Sequence, residues 1–151
     1  MNYVDSIRQL VGHTPLILAG SCGVLVDPTG RLLLQHRNEP EARWGLLGGL
    51  MELGESTAQT LIREVHEESG LRLDPAALTL LGVYSGMGPR TAPNGDVFYS
   101  VITAYIVRNV TAQPVVADAE TLAFAWFAPA DLPRPLADAH RLVLADYLKQ
   151  L

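Results

Sequence analysis

The segment from Ser56 to Gly70 carries both the start and the stop signal of a single helix. Ser56 and Gln59 have the spacing of a capping box, in which each side chain accepts a hydrogen bond from the backbone N–H of the other residue. Gly70 can adopt the left-handed conformation that ends many helices. The sequence therefore predicts a helix over residues 57–69. Four apolar residues share the face that should be buried: Ala58, Leu61, Ile62 and Val65.

Three glutamates of this predicted helix, Glu64, Glu67 and Glu68, lie three and four residues apart. At about 100° per residue they form one narrow stripe, roughly 120° from the apolar face. Like charges at this spacing destabilise a helix by about 0.2–0.5 kcal/mol per pair. Two interpretations are open at this point: a solvated acidic face, or a site for a hard divalent cation, which takes oxygen ligands.

Length and composition favour one domain spanning residues 1–151. The apolar share of 48% and the charged share of 18% are those of an ordinary globular chain. The net charge of −5 argues against binding to a nucleic acid polymer, and no apolar run is long enough to cross a membrane. The N-terminus lacks the pattern of a signal peptide and Cys22 is the only cysteine, so we expect a cytoplasmic protein.

Helical and strand-like segments are interleaved along the chain. The sequence predicts a helix at 2–11, two strands within 15–37 joined by a turn at 27–30, a strand-like segment at 46–53, strands at 78–85 and 98–108 with a turn at 93–96 between them, a strand at 121–129 and a closing helix at 136–151. This order predicts an α+β fold, with helices packed on a mixed sheet.

The segment Gly49 to Leu71 resembles the Nudix box, the sequence motif of the Nudix hydrolase family. The motif is a glycine, five residues, a glutamate, seven residues and then Arg-Glu-aliphatic-x-Glu-Glu-x-Gly-aliphatic. Nine positions match it: Gly49, Glu55, Arg63, Glu64, Val65, Glu67, Glu68, Gly70 and Leu71. Leu47 stands where many relatives have a proline. The resemblance implies an α/β/α sandwich, a mixed sheet with the box helix on one face and further helices around it.

Members of this family hydrolyse a nucleoside diphosphate that is linked to a further group, with Mg²⁺ or Mn²⁺ as cofactor. The resemblance implies four metal ligands: the carbonyl of Gly48 and the side chains of Glu64, Glu67 and Glu68. It also implies that Glu55 positions water or supports the ligands, and that Arg63 orients the glutamates through charge-assisted hydrogen bonds.

The general base has two candidates. Glu68 belongs to the box itself, whereas in some relatives an acidic residue further along the chain does this work. Glu120, with Asp118 as its neighbour, resembles that later position. The alternative for Glu120 is an exposed charge on a loop.

Three residues outside the box are candidates for substrate contacts: Arg37, Trp44 and Arg90. Arg37 either faces the phosphates or lies at a solvated strand edge. Trp44 either stacks on a base or packs the loop before the box. Arg90 lies in the segment 86–96, which we expect to set specificity, where it would contact a phosphate or a terminal group.

The substrate class stays open within the enzyme interpretation. A nucleotide sugar or ADP-ribose-like compound is expected first, and a nucleoside triphosphate, including an oxidised one, is the alternative. A module that binds a nucleotide without cleaving it is a third hypothesis. Such a module would be expected to lose box glutamates or Arg63, and none is lost here.

The N-terminal segment carries an apolar stripe that needs a cover: Val4, Ile7, Leu10 and Val11. The cover is either the sheet of the same chain or a second copy. Homodimers with two-fold symmetry are the commonest assemblies of soluble proteins, and the resemblance points the same way. We therefore expect a homodimer with this helix near the interface.

Overall fold

The computed structural model describes residues 2–151. Three helices are present: α1 (Tyr3–Val11), α2 (Thr57–Ser69) and α3 (Asp138–Leu148). The strands are β1 (Leu16–Leu25), β2 (Leu32–Arg37), β3 (Trp44–Gly45), β4 (Leu47–Leu50), β5 (Leu78–Tyr84), β6 (Arg90–Thr91), β7 (Val97–Val107) and β8 (Thr121–Phe127). Within residues 2–151, no helix combines the length and the apolar character needed to cross a membrane.

The strands form two sheets. The first has the order β4-β1-β7-β5, and β6 also pairs with β7. In this sheet β1 and β7 run parallel, from Leu16 beside Phe98 to Leu25 beside Val107, whereas the other pairs are antiparallel. The second sheet has the order β3-β2-β8 and is antiparallel. The mixed character of the first sheet follows from the one parallel pair at its centre.

Strand β1 lies between two apolar cores because its alternate side chains point to opposite faces. On one side Cys22 and Val24 belong to a core that includes Val143 of α3. On the other side Leu25 belongs to a core that includes Leu61 of α2. Helices therefore cover both faces of the sheet, and the predicted α+β fold with an α/β/α arrangement is confirmed.

The helix predicted from the capping box is observed at the predicted residues. The Ser56 side chain accepts the Gln59 N–H at 3.1 Å, and the Gln59 side chain accepts the Ser56 N–H at 2.8 Å. Gly70 ends the helix in the left-handed conformation with φ 75°. Leu61 and Val65 are fully buried. Local signals alone thus suffice to place both ends and the buried face of α2.

Several boundaries differ from the predictions because tertiary pairing decides where strands begin and end. The segment predicted at 46–53 pairs with β1 only over Leu47–Leu50. The turn at 93–96 is present, with the Gly95 N–H donating to the Ala92 carbonyl at 2.9 Å. It joins β7 to the short strand β6, however, and not to β5. The closing helix is shorter than predicted and spans Asp138–Leu148.

The turn between β1 and β2 is organised by Asp27. Its carboxylate accepts hydrogen bonds from the Thr29 N–H at 3.0 Å and from the Arg31 Nε at 2.8 Å. Burial alone would raise the pKa of Asp27, but the hydrogen bonds from Arg31 and Thr29 outweigh it and lower this pKa to about 2. Past the turn, only the single bridge between Val26 and Leu32 pairs the two segments. The chain thus passes from the first sheet to the second.

Helix α1 is held to the rest of the chain mainly by polar contacts. The Tyr3 N–H donates to the Glu52 carboxylate at 2.8 Å. Arg8 lies 3.4 Å from the Asp96 carboxylate and donates to the Val97 carbonyl at 3.3 Å. No residue of α1 is fully buried. The helix therefore lies at the periphery of the fold, and these polar contacts hold it near both of its ends.

The apolar stripe of α1 is covered only in part by its own chain. Val4 and Ile7 are half-buried, whereas Leu10 is 82% exposed and Val11 is also exposed. The first half of the stripe thus meets the chain's own surface, and the second half does not.

Candidate active site

Strand β4 brings two glycines against the glutamate face of α2. The Gly48 N–H donates to Glu68 Oε1 at 3.0 Å. A Cβ on Gly49 would overlap the carboxylate of Glu64, and a Cβ on Gly48 would overlap the Ser21 carbonyl oxygen of β1. A side chain at residue 49 would displace the Glu64 carboxylate of α2, and a side chain at residue 48 would push β4 away from β1. Gly49 therefore sets how closely the backbone of β4 approaches Glu64, and Gly48 sets how closely β4 pairs with β1.

Gly20 supports this close approach from the neighbouring strand. It pairs with Leu50 across the β1–β4 ladder, and a Cβ on Gly20 would lie 2.6 Å from the Gly49 carbonyl oxygen. The sequence analysis did not select Gly20. The only available signal was a glycine in the middle of a strand-like segment, which often marks a close backbone approach.

Arg63 lies among the carboxylates and contacts three of them. Its Nε donates to Glu55, and its Nη1 donates to Glu64 at 2.9 Å and to Glu67 at 3.2 Å. Its Nη2 also donates to the Leu50 carbonyl at 3.0 Å. The hydrogen bond from Arg63 lowers the pKa of Glu55 to about 2. Glu55 is therefore ionised at neutral pH and pairs with the guanidinium. The geometry matches the orienting role expected for Arg63.

Glu68 is a buried acidic residue with no basic side chain as a partner in the described part of the chain. The residue is only 4% exposed, its partner is the Gly48 N–H, and no Lys, Arg or His of residues 2–151 lies within ion-pair distance. Burial raises the pKa of Glu68 to about 8, and the charges of Glu64 and Glu120 add to this effect. Burial also raises the pKa of Glu64. Such a site stabilises a cation that enters it.

Glu64 and Glu67 face a cavity of about 1040 Å³, which we name the acidic cavity. Its lining includes Gly48, Gly49, Arg63, Glu64, Glu67, Asp118 and Glu120. Glu120 reaches this cavity because β8 pairs with β2 and places the preceding loop beside α2. The structure therefore brings Glu120 to the cavity that Glu64 and Glu67 line, although Glu120 itself is exposed. Glu68 is buried and does not line this cavity.

The carboxylates share this cavity without surrounding a common point. Among residues 2–151, no group of three or more His, Cys, Asp or Glu side chains forms a ready-made cation site. Arg63 accounts for this, because it occupies the space between Glu64 and Glu67. Glu67 is the most exposed of the three carboxylates that Arg63 contacts, with 56% of its side chain exposed. A common site for Glu64 and Glu67 would require the Arg63–Glu67 contact to open.

Arg37 and Arg90 lie together on the other side of β4. Both line a small cavity of about 160 Å³, which we name the arginine cavity. Its lining also includes Cys22, Gly48, Ser100 and His140. Both arginines also line a cavity of about 650 Å³ beside α1, the helix-side cavity, together with Arg8, Asp96 and Phe98. Two of the three predicted substrate contacts thus share one space next to the box.

Trp44 lies elsewhere. Its ring stacks on His36 with 4.4 Å between ring centroids, and the edge of Phe127 packs against it at 5.0 Å. Trp44 does not line the acidic, arginine or helix-side cavity. The packing alternative therefore fits this geometry better than stacking on a base.

Three residues that the sequence analysis missed position parts of the site. The Ser21 hydroxyl donates to the Thr57 carbonyl at 2.8 Å and fixes the start of α2. The Asn38 side chain donates to the Ala119 carbonyl at 2.9 Å and holds the loop before Glu120. Thr60 donates to Glu55 at 2.7 Å. No sequence signal pointed to these residues, because each acts through a contact with another element.

Comparison with known proteins identifies the family. The family model of the NUDIX domain matches residues 18–147. An ADP-ribose pyrophosphatase of Methanocaldococcus jannaschii is 30% identical over 128 residues, which cover 84% of this chain and 70% of that protein. An 8-oxo-dGDP phosphatase of Homo sapiens is 37% identical over 105 residues, which cover 70% of this chain but only 30% of that protein.

One solved structure resembles this chain in both fold and sequence. The crystal structure of a MutT NUDIX hydrolase from Burkholderia pseudomallei superposes with a TM-score of 0.72 at 33% identity. The match covers 86% of this chain and 97% of that one. Taken with the intact box motif and its geometry on α2, these matches show that the chain belongs to the Nudix family and is a pyrophosphohydrolase of that family.

Proposed function

We propose that this enzyme hydrolyses the diphosphate linkage of a nucleoside diphosphate derivative with Mg²⁺, or Mn²⁺ in its place. The observation that carries the proposal is the uncompensated carboxylate of Glu68, buried beside Gly48 and next to Glu64. A buried carboxylate without a cationic partner is costly unless a cation joins it. A substrate diphosphate brings further negative charge, so the same cation would serve both.

The residues present fit a hard divalent cation. The proposed ligands are all oxygen donors: the Gly48 carbonyl and the carboxylates of Glu64, Glu67 and Glu68. When bound, the metal would supply charge neutralisation at the phosphate oxygens and a lowered pKa of water. Arg63 and Glu55 would hold the carboxylates in place through the hydrogen bonds described above.

A carboxylate must accept the proton that the attacking water loses as the new P–O bond forms and the diphosphate P–O bond breaks. Glu68 and Glu120 are the two candidates. Glu68 is buried beside the Gly48 N–H, and a bound cation would favour its ionised form, which can accept a proton. Glu120 is exposed at the rim of the acidic cavity, where it can pass a proton to solvent. Separate substitutions distinguish the two.

The first substrate candidate is a nucleotide sugar or ADP-ribose-like compound, in line with the similarity to an ADP-ribose pyrophosphatase. The second is a nucleoside triphosphate, including an oxidised one. The similarity to an 8-oxo-dGDP phosphatase supports an oxidised nucleotide, although the name of that protein refers to a diphosphate. Arg37 and Arg90 would contact the substrate in either case, because both line cavities next to Gly48 and Leu50. A non-catalytic binding module ranks below both, since every box residue is present.

The test is phosphate or nucleotide release from a panel of nucleoside diphosphate derivatives and nucleoside triphosphates, with Mg²⁺, with Mn²⁺ and with EDTA. Turnover that requires metal and falls by about 10²-fold or more in Glu67→Gln and Glu68→Gln supports the proposal. Asp131→Asn removes one exposed carboxylate outside the described cavities and serves as the matched control. Turnover near the wild-type rate in both glutamate variants would contradict the metal site.

We further propose a homodimer with α1 near the interface, formed by a single-domain chain in a reducing, cytoplasmic setting. The exposed Leu10 supports the dimer, as do Ile17, which is 76% exposed, and its register partner Tyr99. The single, buried Cys22 is compatible with a reducing compartment. Sedimentation at micromolar concentration tests the assembly: a dimer is expected, and Ile17→Arg should dissociate it. A wild-type species near 16.4 kDa would exclude the dimer.

A further inference from the structure

Arg37 and Arg90 differ from the other arginines of the chain in having neither a carboxylate partner nor full contact with solvent. Five arginines form ion pairs within residues 2–151: Arg8, Arg31, Arg43, Arg63 and Arg141. Three others are exposed to solvent: Arg72, Arg108 and Arg134. Arg37 and Arg90 are half-buried, and no carboxylate of the described residues lies within ion-pair distance of either.

Arg43 lies in the same region as Arg37 and Arg90 but has a carboxylate partner. It lines the helix-side cavity with Arg37 and Arg90, but its guanidinium forms two hydrogen bonds to Glu39, at 2.7 and 3.1 Å. Burial lowers the pKa of Arg37, and burial together with the charge of Arg37 lowers the pKa of Arg90. Two partly desolvated positive charges therefore lie near each other without an anion between them.

The surroundings of the two arginines add hydrogen-bond donors. Arg90 lies over the Phe98 ring at 5.3 Å and contacts the Ser100 hydroxyl at 3.1 Å, which fixes its guanidinium. His140 also lines the arginine cavity. Its Nδ1 accepts the Leu46 N–H at 2.9 Å, so the ring proton lies on Nε2. Burial lowers the pKa of His140 well below its usual value, which keeps the ring neutral.

Size decides what the arginine cavity can hold. Its volume of about 160 Å³ is well below the roughly 300–1,000 Å³ of pockets that bind whole drug-sized ligands. One phosphate or carboxylate group fits such a volume, whereas a nucleoside does not. The helix-side cavity, at about 650 Å³, is large enough for the nucleoside.

We propose that the arginine cavity binds an anionic group of the substrate that is separate from the diphosphate held at the acidic cavity, with Arg37 and Arg90 as its ligands. Gly48, Gly49 and Leu50 line both cavities, so the two cavities adjoin along β4. The inference rests on the proposed function, and it favours a nucleoside triphosphate, or a diphosphate ester with a phosphorylated end, over a nucleotide linked to an uncharged sugar.

Anion binding is tested first without metal and without turnover. Inorganic phosphate is titrated into the EDTA-treated protein and followed by backbone amide chemical shifts. We expect saturable binding with shifts around Arg37, Arg90 and Ser100, and weaker binding of acetate, because a phosphate offers more oxygens to two guanidinium groups. Arg37→Gln and Arg90→Gln should each weaken phosphate binding by about tenfold or more.

Two further variants control for folding and charge. Arg37→Lys retains the positive charge and should recover part of the phosphate affinity that Arg37→Gln loses. Arg72→Gln removes an exposed charge outside the cavity and should bind phosphate like the wild type. If the wild type shows no saturable phosphate binding at millimolar concentration, or if both Gln variants bind like the wild type, the arginine cavity is not an anion site.

A kinetic experiment tests which substrate the arginine cavity favours. It compares kcat/KM for a nucleoside triphosphate with kcat/KM for the diphosphate sugar of the same nucleoside. We expect the wild type to favour the triphosphate, and the ratio to fall by about tenfold or more in Arg90→Gln. An equal loss on both substrates would mean that the arginines bind the cleaved diphosphate and would overturn the inference.

The phosphate titration and the kinetic experiment distinguish a failure of this inference from a failure of the proposed function. Phosphate binding that depends on Arg37 and Arg90, in a protein that hydrolyses no diphosphate, would retain the anion site and reject the enzyme activity. Metal-dependent hydrolysis without Arg-dependent phosphate binding would retain the activity and reject the anion site.

Discussion

Gly49 and Glu64 lie so close that the Glu64 carboxylate occupies the place where a side chain of residue 49 would begin. The contact joins strand β4 to helix α2 beside two of the proposed metal ligands, Gly48 and Glu64. It explains in physical terms why residue 49 is a glycine: any Cβ there would displace the Glu64 carboxylate.

Gly49→Ala should therefore damage activity more than folding. The added methyl group must move Glu64 or β4, and a displacement of about 1 Å at a reacting centre can lower kcat by about 10²-fold. Overpacking of this kind costs about 1–3 kcal/mol of unfolding free energy. Steady-state kinetics and thermal melting measure the two effects. Gly82→Ala, whose Cβ would meet only the Tyr84 side chain at 3.3 Å, is the control. Wild-type turnover in Gly49→Ala would contradict the assignment of Glu64 as a ligand.

Divalent metal should raise the melting temperature of the wild type. Ligands that bind only the folded state stabilise it by mass action, by about 2.7 kcal/mol at a hundred times Kd. Melting is measured in EDTA and then in millimolar Mg²⁺ or Mn²⁺. Glu68→Gln should lose most of the metal-induced shift, whereas Asp131→Asn should keep it. The same melting temperature with and without metal in the wild type would favour a solvated acidic face.

Asn38 should influence activity through Glu120. Its side chain holds the carbonyl of Ala119 and its own N–H donates to the Glu120 carbonyl at 2.8 Å. Asn38→Ala should lower kcat by about fivefold with little change in KM, because one hydrogen bond is worth about 1 kcal/mol. If both residues act as a unit, adding Asn38→Ala to Glu120→Gln should cause no further loss. If the losses in kcat are additive, Asn38 and Glu120 act independently.

Asp96 should hold α1 over the site. Its carboxylate contacts Arg8 at 3.4 Å and the His13 Nδ1 at 2.5 Å, and α1 lines both the acidic and the helix-side cavity through Val4 and Asp5. Asp96→Asn should weaken both contacts, speed hydrogen exchange of α1 amides and raise KM, while exchange in α2 stays slow. Asp131→Asn, which removes an exposed carboxylate outside α1 and the described cavities, is the control. Unchanged exchange in α1 would show that other contacts suffice.

Asp27 should contribute stability that depends on pH. Its pKa is about 2 in the folded chain, below the ordinary value of 3.8. The contribution is therefore complete above about pH 3.8 and is lost as pH falls towards 2. Urea unfolding of the wild type and of Asp27→Asn should show a difference in unfolding free energy at pH 7 that narrows below pH 4. A constant difference over this range would rule out the ionised carboxylate as its source.

Helix α2 shows how much local sequence can specify. The capping box of Ser56 and Gln59, the left-handed Gly70 and the spacing of the glutamates all act within a few residues. Helix periodicity then places Glu64 and Glu68 on one side without any knowledge of the rest of the chain. For the same reason the expected contact of Arg63 with Glu67, one turn apart, is observed.

Local sequence did not predict the strand boundaries or the shared cavity of Arg37 and Arg90. Whether Leu47–Leu50 is a strand depends on β1, and β1 in turn pairs in parallel with β7. Arg37 and Arg90 could each be assigned to the substrate from sequence, but nothing local indicated that they line one cavity. Trp44 had two alternatives, and the ring of His36 against it favours packing.

The sequence by itself determined the family motif, the ends and faces of α2 and the residue types that suit a divalent cation, because these depend on contacts between residues close in the chain. Only the tertiary structure decided that Gly20 and Gly49 let β4 approach the carboxylates, that Arg63 also donates to the Leu50 carbonyl of β4, and that the loop of Glu120 reaches the acidic cavity. Those arrangements depend on strands and loops far apart in sequence, whose distances are set when the two sheets and their helices pack.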